Sequence, residues 1–391
     1  MMMKRLATFL LFSCSILILK GCKEKFAPEV SAENKNLLVV EGVINTGNDS
    51  TIIKLSRSTI VEADYTVNPE IGALVSVESN SNETFPLKEI VKGVYGAAPL
   101  NLSSTKKYRL NIKTSSGATY QSDFVDAKVS PPIDSVSWKI KADGVDFFVN
   151  THDASNQTKY YRWEYVETWA FYSKYYSIKI FDPALNYVRN RNFPEEEAYK
   201  CYANHSSSAI YMGSSAKLNK DVIFEAPLHS VESTSEKFGE RYSVLVKQYA
   251  LTLDAYNFWT QLKKNTESLG SIFDPQPSDF QSNIHNVNDP KEPVIGYISA
   301  CKVEQKRIYI ARDQLPRSPA WVLKYPVFCG QAADTVLSKD IFSKFKGSEK
   351  IYIPIEPAIA PNGDDIGLLA SSAACVDCRT RGSNKKPAFW P

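Results

Sequence analysis

Cysteine offers the most direct chemistry in this chain, because a thiolate can bind a metal, attack a substrate or form a disulfide. Cys375 and Cys378, in the run Cys-Val-Asp-Cys, have the spacing of half a zinc site. No second cysteine pair at this spacing and no nearby histidine pair supplies the other two ligands. A strand entering a helix, the usual setting of a redox-active pair, is not predicted here. We therefore expect both cysteines in structural disulfides.

The histidines and acidic residues give little further sign of catalysis. The four histidines, none at metal-ligand spacing from another, are His152, His205, His229 and His285. The motifs of zinc proteases, serine hydrolases and phosphate-binding loops are absent. Asn362-Gly363-Asp364-Asp365 lacks the spaced ligands of a calcium loop. The sequence predicts no enzyme, metal or cofactor, although two carboxylates that meet only in space would still permit glycoside hydrolysis.

The amino-terminal residues follow the pattern of an export signal. Lys4-Arg5 precedes an apolar stretch of 14 residues, Leu6–Leu19. Because a membrane-spanning helix needs about 20 residues, we do not expect this stretch to remain as an anchor. Removing residues 1–21 lowers the formal net charge from +3 to zero, so the mature chain has no electrostatic attraction to nucleic acid.

Cys22 is the predicted lipidation site. Leu19 lies three positions before it and Gly21 directly before it, as in a lipobox, whereas Lys20 departs from the small or apolar residue usual there. An ordinary secretory signal with an incidental Cys22 is the alternative. Lipid on this cysteine would hold the protein on an outer membrane, with the surface or periplasmic orientation undecided. Residues 22–36 then serve as a polar tether.

The remaining cysteines agree with export to an oxidising compartment. Cys14 leaves with the signal, and five cysteines follow Cys22. An odd number leaves at least one thiol unpaired within the chain. We expect that thiol at Cys301, which ends an apolar run that is typical of a strand. The disulfide candidates, whose pairing the sequence does not assign, are Cys201, Cys329, Cys375 and Cys378.

An aromatic block between residues 160 and 187 is the richest feature of the chain. On an extended strand, aromatic side chains occupy both faces, which exceeds what one core requires. Exposed rings on a rigid sheet suit ligand stacking or a protein interface. The alternative is that a second sheet and a helix cover both faces. The candidates for ligand or interface contact are Trp163, Tyr165, Trp169 and Tyr172.

The pattern of the chain predicts a mainly β protein. Short alternating runs separated by turn residues indicate an immunoglobulin-like β-sandwich over residues 37–130. Tyr108, Leu110 and Ile112, for example, alternate with polar residues. Pro131-Pro132 marks the predicted boundary. A larger β-rich domain follows over 133–391, with one prominent helix at about 252–269 and a hairpin formed by 294–300 and 307–311.

Several motifs, in order and spacing, resemble a known family. They are Leu38-Val39-Val40-Glu41-Gly42, the run from Asp254 through Gly270 to Pro277, Asn283-Ile284-His285-Asn286, Pro293-Val294-Ile295-Gly296-Tyr297, and the ending from Cys375 to Trp390. Together they resemble the Bacteroidota lipoproteins of domain-of-unknown-function family 4249. The family has no established activity, and its members are often encoded beside TonB-dependent outer-membrane transporters.

The resemblance implies an accessory or ligand-binding lipoprotein of a TonB-dependent nutrient-uptake system, with a transporter as its partner. A surface hydrolase acting on glycans or peptides is a second hypothesis. A structural or adhesive envelope protein is a third. The low acidity of Lys23-Glu24-Lys25 leaves display on the cell surface open.

Overall fold

Strands dominate the structure, which is a computed structural model that describes residues 36–58, 67–267, 281–347 and 351–391. Leu37–Arg57 and Val67–Pro391 belong to one compact unit. The mainly β fold class is thus confirmed. Cys22 and nearly all of the predicted signal and tether lie outside the described residues. Among the described residues, no helix has the length and apolar composition to cross a bilayer.

The amino-terminal part forms a sandwich of immunoglobulin-like topology. Its strands are β1 (Leu38–Asn45), β2 (Thr51–Arg57), β3 (Asn68–Pro69), β4 (Leu74–Ser79), β5 (Thr84–Val91), β6 (Val94–Ala97), β7 (Lys107–Lys113), β8 (Thr119–Ser122) and β9 (Val125–Val129). Strand β2 lies between β1 and β6, and β7 lies between β4 and the successive strands β8 and β9. The predicted alternation on β7 is confirmed, because Tyr108, Leu110 and Ile112 are all buried.

A second sandwich follows. Its strands and those inserted into it are β10 (Ile133–Ile140), β11 (Gly144–His152), β12 (Tyr160–Tyr172), β13 (Lys179–Asp182), β14 (Tyr187–Asn190), β15 (Lys200–Ser206), β16 (Tyr211–Ser214), β17 (Val222–Glu232) and β18 (Arg241–Ala250). The sheet β10-β11-β17 packs against a sheet in which β12 pairs with β15, β16 and β18. Alternating side chains from β11, including Phe147, meet Trp163 and Val244 from the facing sheet in one core.

The segment after β18 joins the two sandwiches. It contains α1 (Leu253–Glu267), β19 (Ile284–Asn286), β20 (Ile295–Gly296), β21 (Ala300–Lys302) and β22 (Glu304–Ala311). Thr252 Oγ1 accepts a hydrogen bond from the Ala255 N–H at 3.2 Å, at the start of α1. Strands β20 and β21 pair in parallel with β1, and β19 pairs with β8. The first sandwich therefore takes in strands from beyond Pro131-Pro132, and a division of the chain there stays a prediction.

The predicted hairpin within this segment is wrong. Strand β22 pairs with β18 of the second sandwich, whereas β21 pairs with β1 and β9 of the first. Gly296 explains part of the difference. Its φ is +144°, and a Cβ at this position would overlap the Val40 carbonyl oxygen, so only glycine lets β20 lie this close to β1.

The carboxyl-terminal residues form a small third sheet that disulfides tie to the second sandwich. Its elements are β23 (Asp334–Leu337), α2 (Ile341–Phe345), β24 (Tyr352–Ile359), β25 (Asp365–Ser372) and α3 (Ala373–Val376). Short 3₁₀ turns occur here and elsewhere in the chain, at Glu236–Phe238, Arg312–Gln314, Pro319–Trp321, Val327–Cys329, Ser338–Asp340 and Cys378–Thr380. Disulfides join Cys201 to Cys378 and Cys329 to Cys375. Cys301 is free and buried.

Candidate binding surface

Strand β12 carries most of the aromatic block, and its first half lies in the core. Trp163 is 1% exposed and Tyr165 is 7% exposed. The Trp163 indole donates to Gln248 Oε1 at 2.8 Å, and the Tyr165 ring stacks on His229 at 4.0 Å. At these two positions the structure therefore favours covered faces over ligand contact, because the sheet β10-β11-β17 packs on them.

The opposite face of β12 is covered as well. The Arg162 guanidinium lies 4.5 Å from the Tyr249 ring and 4.1 Å from the Trp259 ring of α1. Such stacking stabilises a buried cation. The guanidinium also pairs with Glu164 at 2.6 Å. Helix α1 thus closes the second aromatic face of the strand.

A buried carboxylate, Glu167, lies in the middle of β12. It is 1% exposed, and Lys237 Nζ lies 2.5 Å from its Oε1. Tyr242 donates its hydroxyl proton to Oε2 at 2.9 Å, and His205 Nδ1 lies 3.1 Å from Oε1. A buried charge needs such compensation to be tolerated. The sequence contained a sign of this buried carboxylate, because Glu167 is the one polar residue among the alternate positions 161–171 of β12, which are otherwise aromatic.

His229 extends this network into the core. Its Nε2 lies 2.7 Å from the Tyr242 hydroxyl oxygen. Because the Tyr242 proton goes to the charged Glu167, His229 must donate through Nε2–H, and its Nδ1 is left buried without a partner. Burial lowers the pKa of His229 to about 4, so the ring is neutral at pH 7.

The His229, Tyr242 and Glu167 chain has the parts of a proton relay, but it is enclosed. The rings of Phe147 and Tyr165 stack on the two faces of His229, at 4.7 and 4.0 Å. The Glu167 side chain is 2% exposed. A substrate has no access to these atoms in this arrangement, so the network stabilises the sandwich core.

The second half of β12 leads to exposed rings. Tyr172 contacts Tyr199 at 5.0 Å, Tyr199 meets Tyr176 edge-on at 5.2 Å, and Tyr176 stacks on Phe193 at 5.9 Å. Tyr176 and Phe193 are 49% and 41% exposed. Trp169 is half-buried beneath Lys237 Nζ, 5.0 Å from its ring. Of the four predicted contact residues, Tyr172 is therefore the one that belongs to an exposed aromatic row.

An apolar loop lies close to this row. We define it as residues 322–328, whose exposed apolar and aromatic side chains are Val322, Tyr325, Val327 and Phe328. Val327 is 98% exposed and Phe328 is 61% exposed. Lys174, which follows β12, donates to the Cys329 and Gln331 carbonyls at 2.6 and 2.8 Å. With the Cys329–Cys375 disulfide, these bonds anchor the carboxyl end of the loop.

A cleft of about 500 Å³ opens beside the apolar loop. Its lining residues are Ser230, Val231, Glu232, Thr234, Ser235, Glu236, Lys237, Lys324, Tyr325, Pro326 and Val327. Nothing in the sequence pattern predicted this cleft, because its walls are more than 80 residues apart. Within the described parts of the chain, no group of three or more His, Cys, Asp or Glu side chains is arranged to hold a metal ion.

Comparison with known proteins identifies the family. None of the curated proteins matches the chain. A solved segment of two fibronectin type III domains from chicken tenascin matches at 10% identity, covering 55% of this chain and 90% of that chain with a TM-score of 0.15. The family model described as a domain of unknown function (DUF4249) matches residues 23–307. The chain therefore belongs to the DUF4249 family.

Proposed function

We propose that the protein is an outer-membrane lipoprotein, anchored through Cys22, that serves as a binding component of a TonB-dependent nutrient-uptake system. The observation that carries the proposal is the apolar loop. Val327 and Phe328 place hydrophobic side chains in water, directly before Cys329, where a disulfide and two hydrogen bonds from Lys174 anchor the chain. Exposed apolar side chains on a rigid support are typical of protein interfaces.

Two further features support this role. The two disulfides agree with an oxidising compartment outside the cytoplasm. The exposed row of Tyr176 and Phe193 adds aromatic area beside the apolar loop, and aromatic residues are enriched in interface cores. The partner in the proposal is the outer-membrane transporter itself, and lipid attachment would keep the protein in the plane where that transporter lies.

The anchor is tested at Cys22. The wild-type chain, produced in a Gram-negative host, should carry lipid in its amino-terminal peptide by mass spectrometry and sediment with the outer membrane. Cys22→Ala should lack the lipid and leave the membrane fraction. An unmodified thiol at this position in membrane-purified wild-type protein would contradict the proposal.

The partner is tested by capture from the source bacterium. Tagged wild-type chain should retain a TonB-dependent transporter from solubilised outer membranes, and Val327→Asp with Phe328→Asp should lose it. Phe224→Asp is the matched control, because Phe224 is 77% exposed on β17, outside the loop. Loss of the transporter with the control variant, or its retention with the loop variant, would contradict docking through the apolar loop.

A further inference from the structure

We propose that the cleft beside the apolar loop binds a neutral saccharide. The inference rests on the binding role proposed above and adds the chemical class of a ligand. The volume of the cleft, about 500 Å³, lies in the range of small-ligand sites, which is roughly 300–1,000 Å³. What distinguishes this cleft is its mixture of polar side chains with one exposed aromatic ring.

The two walls of the cleft are fixed to each other. One wall is the end of β17 with the 3₁₀ turn Glu236–Phe238, and the other is the stretch from Lys324 to Val327. The Lys324 N–H donates to the Thr234 carbonyl at 2.8 Å. Ser233 Oγ, just before it, donates to the Ala320 carbonyl at 2.7 Å. A preformed cleft loses less conformational entropy when a ligand binds.

Three polar side chains in the cleft are available to a ligand. The Glu232 carboxylate, the Thr234 hydroxyl and the Lys324 ammonium make no hydrogen bond or ion pair to another described residue. They supply an acceptor, a group that both donates and accepts, and a donor. A sugar hydroxyl also donates and accepts, so it can bond to all three. Bonds to the two charged groups are the stronger kind.

The ring of Tyr325 supplies the apolar part of the site. It is 43% exposed and stands next to Pro326 in the same wall. The two faces of a sugar ring carry C–H groups, which pack against the π face of an aromatic ring. A carboxylate, an ammonium and an aromatic ring within one shallow cleft can therefore contact both the hydroxyls and the C–H face of one sugar unit.

The charges argue for a neutral ligand. Glu236 pairs with Arg381 at 2.5 Å, and Lys237 pairs with the buried Glu167. One acid, Glu232, and one base, Lys324, are then left to the ligand, so their charges balance. An anionic ligand such as a phosphate would meet the Glu232 carboxylate, and a cationic one would meet Lys324.

The test is affinity electrophoresis of the detergent-solubilised full chain in native gels containing dextran, xylan, galactomannan or mixed-linkage β-glucan. At least one polysaccharide should retard the wild-type protein. Tyr325→Ala and Glu232→Gln should each raise the dissociation constant tenfold or more. The matched controls are Tyr187→Ala, whose side chain is 50% exposed outside the cleft, and Glu356→Gln, also exposed; both should bind as the wild type does.

Two outcomes would overturn the inference. Absence of retardation by all four polysaccharides is one, and equal retardation of the wild type and both cleft variants is the other. Transporter capture by the same preparation separates this failure from that of the proposed function. A protein that captures the transporter but binds no polysaccharide keeps its docking role and loses the saccharide site.

Discussion

Acidification should weaken the second sandwich through His229. Burial lowers the pKa of this histidine to about 4, against 6.5 for the free side chain. Between these values the unfolded chain binds a proton that the folded chain does not, so the contribution of His229 to the free energy of unfolding is constant well above pH 6.5 and falls as the pH drops towards 4. From pH 7 to pH 5 the linkage relation gives a loss of about 2 kcal/mol in the free energy of unfolding.

His229→Phe isolates this contribution. The phenyl ring can keep the stack between Phe147 and Tyr165, and Tyr242 can still donate to Glu167. Other groups that favour the folded state at neutral pH are present in both proteins, so their effects cancel in the comparison. We expect the wild type to lose about 2 kcal/mol more than the variant between pH 7 and pH 5.

Urea unfolding followed by tryptophan fluorescence measures this difference. The tryptophans all lie beyond the first nine strands, so the emission follows the second sandwich and the carboxyl-terminal part; they are Trp138, Trp163, Trp169, Trp259, Trp321 and Trp390. Equal pH dependence in the wild type and in His229→Phe would refute the reasoning. It would mean that His229 is protonated in the folded protein, or that the second sandwich opens enough to hydrate it.

The remaining predictions concern the cysteines and one glycine. Replacing Cys201 and Cys378 by serine opens a crosslink across 177 residues and should lower the unfolding free energy in urea by about 5 kcal/mol, whereas no change would mean that the crosslinked segment is already ordered in the unfolded chain. In folded Cys22→Ala protein, where Cys22 cannot react, the Cys301 thiol should resist iodoacetamide, because burial raises its pKa to about 12. The same thiol should react in urea, and alkylation of the folded protein would contradict this prediction. Gly296→Ala should destabilise the protein by about 3 kcal/mol in the same urea assay, since its φ and the facing carbonyl leave no room for a Cβ, and a wild-type midpoint would show that β20 can leave β1.

Local pattern predicted the parts of the fold that depend on neighbours in sequence. The alternation on β7 and the helix predicted at about 252–269, which is α1, are each read from residues close together in sequence. The sequence predicted one strand over 294–300, but the pairing of the short strands β20 and β21 in this region was not predictable in this way. They have two and three residues, and their pairing with β1 depends on contacts about 250 residues away in sequence.

At the candidate site, too, only the features that depend on neighbours in sequence were predictable. The four predicted contact residues all lie on β12, but a period of two does not show which part of that strand is covered. Coverage depends on His229 from β17 and on α1, neither of which is near β12 in sequence. The exposure of the apolar loop was not predicted, because Val327 and Phe328 lie beside a cysteine and have the composition of a buried segment.

The excess of aromatic residues now has a physical explanation with two parts. The first half of β12 lies between two covers, the facing sheet and α1, so both of its faces need large side chains to fill the space. Beyond Trp169 those covers end, yet the rings continue through Tyr172 to the exposed pair Tyr176 and Phe193. Packing accounts for the first group but not for the second, since exposed rings contribute little to the core. We therefore expect selection for binding, rather than for folding, to act on the exposed rings that end in Tyr176 and Phe193 and on the apolar loop.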